Sequence, residues 1–381
     1  MKTRKLDLGK IVWKTFTIAT LVFIPLAANA QVEKLQQGLD LLFKNAKCQE
    51  AKYCPSAENN KIMIQNALEF QARLQNLVGS NQAPEVHWYQ AKGRVREFEF
   101  PSAFQRSGDV AINTVHGFLY LPNNYEQCDE LKYPATLIMH ELADNLDSVR
   151  QISAITAGLG KGVAMVIYMP HFGPRKDGQA FITKDVEAFE DNVLQTLADI
   201  HQSQLILKNL KGVQSDNIGL MGLSLGAMMS LISAGIDPIF DRYATNVGGG
   251  DLANIMTYRK TGDVDSQTGK ALKDIDWTVD QARFFVSRFD AITWSPFVHN
   301  KKIVMINANS DELINRSMSI DPLIAGFRAA GSHVQLIMHK GTHVFRAKEV
   351  GLWSTAKNVF YPTVKFVGEK APASDICSQN E

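Results

Sequence analysis

A mostly parallel β-sheet covered by helices on both faces is the architecture the sequence predicts, and three observations predict it. Apolar runs too continuous for a one-sided sheet ("PATLIMHE", "GVAMVIYMP", "NIGLMGLS", "KKIVMINAN", "HVQLIMHKG") recur along the chain. Helical patterns separate them: "SVRQISAITAGLG", "DVEAFEDNVLQTLADIHQSQLIL", "GAMMSLISAG" and "SIDPLIAGFRAAG". Finally, 381 residues with 45% hydrophobic content suffice for one large core or two smaller ones.

Taken in order, residues 1–30 read as a secretory signal. "MKTRKLDLGKIVWK" is a basic leader, "TFTIATLVFIPLA" a short apolar run, and "ANA" ending at Ala30 a small-residue cleavage pattern. The apolar run falls short of the roughly 20 residues that span a bilayer, so no stable membrane insertion is expected once it is removed, and the mature chain is expected to be periplasmic or secreted. Residues 31–95 form a helical extension, because "VEKLQQGLDLLF" and "NKIMIQNALEFQARLQNLV" place apolar residues at threes and fours. The period then changes to alternation at "VREFEF" and "AINTVHGFLYLP", an antiparallel pair that opens the main domain, 96–381. Within that domain, about 252–297 breaks the strand–helix rhythm and is expected to be a helical cap inserted at the strand C-terminal edge. The aromatic residues Trp277, Phe284, Phe285, Phe289 and Trp294 would then form mainly the cap's own core.

Forty basic against 39 acidic residues leave a net charge of +1 with no long basic run, which argues against nucleic acid or an anionic membrane as the main partner. An exported chain can hold disulfides. Four cysteines permit three pairings; the short spacing of "CQEAKYC" favours Cys48 with Cys54, leaving Cys128 for Cys377. No spacing suggests zinc: "HELAD" lacks the second histidine of HExxH, and Gly341 lies between His339 and His343.

The chemistry lies in Gly222-Leu223-Ser224-Leu225-Gly226, at the end of one predicted strand and the start of the next helix. That is the setting of a nucleophile elbow, in which a sharp turn presents a serine and the helix N-terminus offers N–H groups to a developing oxyanion. A serine hydroxyl needs a base, and the base an orienting acid. Asp311 stands just beyond the next-to-last predicted strand and His343 just beyond the last. Glu312 and Asp251 are rival acids, and His339 a rival base. Serine, acid, histidine is the chain order of an α/β-hydrolase. Over about Val95 to Lys370 the chain resembles the α/β-hydrolase superfamily, and "MHELADNLDSVRQIS" and "IYMPHFGPRKDG" look like segments of its dienelactone hydrolase and acetyl esterase-like members. Dienelactone hydrolases carry cysteine where this chain has Ser224, which points toward a serine carboxylesterase.

The resemblance implies catalysis by Ser224, Asp311 and His343 without a cofactor or metal, acting on a small-molecule ester. It implies an oxyanion hole built from the N–H of Leu225 and a second donor after "LIMH", Leu142 ahead of Glu141, with the Glu141 side chain reaching toward the elbow. Peptide, lipid or thioester cleavage on the same residues is the near alternative. A non-catalytic hydrolase-fold binding protein is the distant one.

Overall fold

In the computed structural model the described residues are 26–368, apart from 90, 109–110, 124, 126–130, 143–145, 160, 259–274 and 344–360. Cys128 and Cys377 therefore lie outside the described residues, as does most of the expected signal segment.

Nine strands form one sheet in the order β1-β2-β3-β5-β4-β6-β7-β8-β9. They are β1 (His87–Trp88), β2 (Val95–Pro101), β3 (Thr114–Tyr120), β4 (Tyr133–Met139), β5 (Val163–Ile167), β6 (Val213–Leu223), β7 (Arg242–Asn246), β8 (Lys302–Ala308) and β9 (His333–His339). The expected antiparallel pair is β2 with β3, in register from Val95 opposite Tyr120 to Pro101 opposite Thr114. From β5 to β9 every pairing is parallel. Every residue of β4, β5 and β7 is buried, as expected of central strands covered on both sides.

The helices divide between the two faces. On one, α3 (Asp147–Gly158) and α10 (Tyr361–Val367) bury Val149, Ile152 and Phe366 against Ile138, Val166, Met221 and Ile306. On the other lie α4 (Val186–Asn209), α5 (Leu225–Ile236) and α9 (Asp321–Ala329), over Leu137, Leu220, Tyr243 and Met305. Local chemistry starts several of these helices. The Asp185 carboxylate accepts the N–H groups of Glu187 and Ala188 at the head of α4, and Thr278 with Gln281 forms a reciprocal capping box at the head of α7 (Val279–Val286).

The helical extension is built into this second layer. Helix α1 (Leu26–Phe43) buries Leu35, Leu39 and Leu42 against the short helix α8 (Ala291–Trp294) and α9. It approaches so closely that a Cβ on Gly38 would lie 1.9 Å from the Thr293 carbonyl oxygen. Helix α2 (Ala57–Val78) starts at Ser56, which caps the Asn59 N–H, and sets Phe70 against Phe289, ring centroids 5.5 Å apart. Between α1 and α2, Cys48 and Cys54 form the expected disulfide. Its loop is fastened to α7, because the Asp280 carboxylate accepts the N–H groups of Gln49 (2.7 Å) and Glu50 (3.0 Å).

Two expectations change. Strand β1, within the segment 31–95 read as helical, joins the sheet edge. The aromatic part of the expected cap packs only partly on itself, Phe285 meeting Trp277 and Phe284, and also seats the N-terminal extension. Phe284 and Phe285 meet Tyr53, and Phe289 sits between Phe70 and Phe189. Trp294 is fully buried and donates its indole N–H to the Arg288 carbonyl. Helical spacing showed that these residues bury a face; it could not show which part of the chain supplies the other half of the contact.

Candidate active site

Strand β6 ends in the turn that carries Ser224, whose φ of +47° and ψ of −112° lie outside the regions an L-residue prefers. The surrounding backbone maintains that conformation. The Ser224 N–H donates to the Asn246 carbonyl (2.9 Å), and its carbonyl accepts the Met228 N–H (3.0 Å), which opens α5. The two glycines are demanded by space. A Cβ on Gly222 would lie 2.1 Å from the Gly226 carbonyl oxygen, and one on Gly226 would lie 2.4 Å and 2.5 Å from the carbonyl oxygens of Met139 and His140. Strand β6, helix α5 and the end of β4 therefore converge on this turn at backbone contact distance.

His343, in the loop after β9, places Nε2 2.8 Å from the Ser224 Oγ. Its Nδ1 lies 3.0 Å and 3.2 Å from the two carboxylate oxygens of Asp311, in the loop after β8. The Asp311 side chain is fully buried, and its Oδ1 also accepts the N–H groups of Leu313 (2.9 Å) and Ile314 (2.8 Å). These bonds fix the carboxylate before the histidine reaches it. The two loops are tied together as well, since Asn309 N–H donates to the His339 carbonyl and Ser310 N–H to the Gly341 carbonyl.

The rivals are engaged elsewhere. Asp251, in a left-handed conformation at the head of α6 (Leu252–Met256), is buried with its carboxylate on Arg283 and Asn254. Burial raises its pKa, against the opposing charge of Arg283. Glu312 is exposed and accepts from the Tyr258 hydroxyl, and the His339 Nδ1 donates to the Lys340 carbonyl.

Leu225 is the first residue of α5, so its N–H has no acceptor within the helix and faces the turn. Glu141 and Leu142 stand in the loop after β4, directly past the His140 carbonyl that abuts Gly226. The side-chain bond from Glu141 to the elbow is not made. Its Oε2 is buried and has no hydrogen-bond partner among the described residues.

Two residues to which the sequence assigned no role help build this end of the sheet. His140 is fully buried at the end of β4, its Nδ1 2.6 Å from the Glu141 carbonyl and its Nε2 accepting the Met169 N–H at 3.0 Å. Burial pushes its pKa down to about 4, so it is neutral near pH 7. His171, in the loop after β5, has φ +70° and lies between Asp177 (2.7 Å) and Asn192 (2.8 Å). His140 depends on backbone groups, and His171 on the side chains of Asp177 and Asn192, 6 and 21 residues away, combinations that no motif records. A cavity of about 390 Å³ opens beside Asp311, lined also by Asn309, Ile314, Asn315, Arg316 and Met338.

No family model and no curated protein matches the sequence. Solved structures do. An acetyl xylan esterase from Thermoanaerobacterium superposes with a TM-score of 0.52 over 78% of this chain and 94% of its own, at 15% identity. An acetyl xylan esterase from Paenibacillus superposes at 0.50 over 81% and 95%, at 14% identity. The chain has the α/β-hydrolase fold. In α/β-hydrolases the residues of the triad follow the chain order nucleophile, acid, histidine. Ser224, Asp311 and His343 occupy the ends of β6, β8 and β9 of this α/β-hydrolase sheet, all at its C-terminal edge.

Proposed function

We propose that the protein is an exported serine hydrolase that cleaves carboxylic esters through an acyl-enzyme. The observation that carries this reading is the continuous contact from Ser224 Oγ to His343 Nε2, and from His343 Nδ1 to the buried Asp311 carboxylate.

His343 takes the Ser224 proton at Nε2 as Oγ attacks the ester carbonyl. The resulting imidazolium is held through Nδ1–H by Asp311, which also selects the tautomer whose Nε2 is free to accept. The carbonyl oxygen becomes an oxyanion that accepts from the N–H groups of Leu225 and Leu142, donors of the kind that stabilise developing charge best when held in advance. Collapse expels the alcohol, which takes the proton from Nε2. Water then enters, gives a proton to His343 and attacks the acyl carbonyl; the acid leaves and Ser224 recovers its proton. All of these steps use groups of this chain.

Ester cleavage is favoured over other acyl chemistry by the two proteins of the same fold that are themselves named acetyl xylan esterases. The Cys48–Cys54 disulfide agrees with export, as does the leader of residues 1–30. A fluorophosphonate probe tests the proposal: covalent label on Ser224 in the native chain and none in Ser224→Ala is expected. Folded wild-type protein that takes no label would refute it. Acyl esters of rising chain length, run beside peptide and phospholipid substrates, then rank the chemistries.

A further inference from the structure

Resting on that hydrolase reading, we infer that His140 is a positioning residue that aims the second oxyanion donor, the N–H of Leu142, into the site by holding the peptide between Glu141 and Leu142 in one orientation. Because its Nε2 accepts the N–H of Met169 (3.0 Å), that nitrogen carries no proton. The ring proton is therefore on Nδ1, and it is donated to the Glu141 carbonyl 2.6 Å away.

That carbonyl consequently points inward, toward a ring with no solvent exposure. In a trans peptide the N–H of the following residue points the opposite way, and no peptide bond among the described residues is cis. The Leu142 N–H is thus turned outward, to the side of the loop that faces the cleft. The position is right as well as the direction. The Met139 and His140 carbonyls press against Gly226, so the chain leaves β4 beside the first turn of α5, where the Leu225 N–H waits.

The ring itself has little freedom. Phe172 meets it edge-on with centroids 4.9 Å apart, Tyr168 lies at 6.2 Å, and Met169, which holds Nε2, follows β5. One imidazole therefore joins the ends of β4 and β5 and converts that rigidity into the direction of a single N–H. Glu141 stands where the chain leaves β4, and the side chain of its predecessor supplies the orientation.

Three variants and one wild-type measurement test this. His140→Ala and His140→Phe should lower kcat about 10²-fold, the cost of one lost oxyanion donor, while KM for the same ester stays within about two-fold. A trifluoromethyl ketone supplies the decisive readout. Ser224 Oγ adds to its carbonyl carbon, the serine proton passes to His343, and the hemiketal oxyanion occupies the hole. Its affinity should fall in parallel with kcat/KM, whereas a lost scaffold contact would move KM or folding alone. His140→Asn, whose Nδ2 can donate to the Glu141 carbonyl, should recover at least about ten-fold of the lost kcat. Ring nitrogen shifts in the wild type should show His140 protonated at Nδ1 only.

A proton on Nε2, or folded His140→Ala with kcat within about three-fold of wild type, would overturn the inference. The tautomer still decides it if the alanine variant does not fold. Wild-type protein whose Ser224 takes no fluorophosphonate would fail differently, by removing the hydrolase reading while leaving the peptide orientation measurable.

Discussion

Gly226→Ala isolates the steric demand of the elbow from its chemistry. The new Cβ would stand 2.4 Å from the Met139 carbonyl oxygen and 2.5 Å from that of His140, both backbone atoms. Ordinary contact requires roughly 1 Å more, and neither oxygen can rotate away as a side chain would. Either α5 retreats from β4 or the loop at Glu141 and Leu142 moves outward. Each outcome separates the Leu225 and Leu142 N–H groups, and a displacement of about 1 Å can cost on the order of 10²-fold in rate. Helix propensity opposes the damage, since alanine gains up to about 1 kcal/mol over glycine in a helix, but overpacking costs about 1–3 kcal/mol, so the net effect should be destabilising. The measurements are kcat and KM on an acetyl ester, with urea unfolding alongside. A folded Gly226→Ala enzyme with kcat within two-fold of wild type would show that the elbow tolerates a side chain there and that the close approach has no functional consequence.

Other expectations follow from the same geometry. Asp311→Asn should lower kcat about 10⁴-fold with little change in KM, because an amide at that position no longer selects the tautomer with a free Nε2; steady-state kinetics checks it. His140 gives a pH signature in stability. Its folded pKa of about 4 lies below the unfolded value near 6.5, so the unfolded chain binds the proton first and stability is lost as pH falls from 6.5 toward 4. The loss from this one group is about 3 kcal/mol, and denaturant unfolding across that range should show it diminished in His140→Gln. Replacing Cys48 and Cys54 by serine opens a loop of sequence separation 6, which should cost about 2 kcal/mol by loop entropy. The kcat of that double variant should be unchanged, since the loop contacts α7 rather than the elbow.

Much of this site was legible in the chain because its parts follow strands. Ser224, Asp311 and His343 each come just after an apolar run, and a parallel sheet brings the C-terminal ends of its strands to one edge. The order of the three residues therefore carried their position. Asp311 was preferred over its rival Glu312 by its place after the strand, and the structure adds the reason it is the one under the histidine: the Leu313 and Ile314 N–H groups hold its carboxylate there. Asp251 was a reasonable rival by position alone, until Arg283 is found on its carboxylate from 32 residues away. The aromatic stretch after residue 276 packs partly on itself, as its spacing suggested, with Phe285 against Trp277 and Phe284, but it also packs on the N-terminal extension. Its partners Tyr53 and Phe70 precede it by more than two hundred residues, beyond the reach of any periodicity.

By itself the sequence determined the local properties: strand and helix periods, a glycine-flanked serine between a strand and a helix, a short disulfide loop, and the chain order of Ser224, Asp311 and His343. Tertiary structure decided the properties that need two distant segments. It seated α1 and α2 on the main domain, matched one carboxylate to one imidazole, and turned the peptide after Glu141 by a histidine anchored to the neighbouring strand. The reason is physical: a backbone preference acts over a few residues, whereas the direction of a buried hydrogen bond is set by whichever donor or acceptor the folded chain places opposite it.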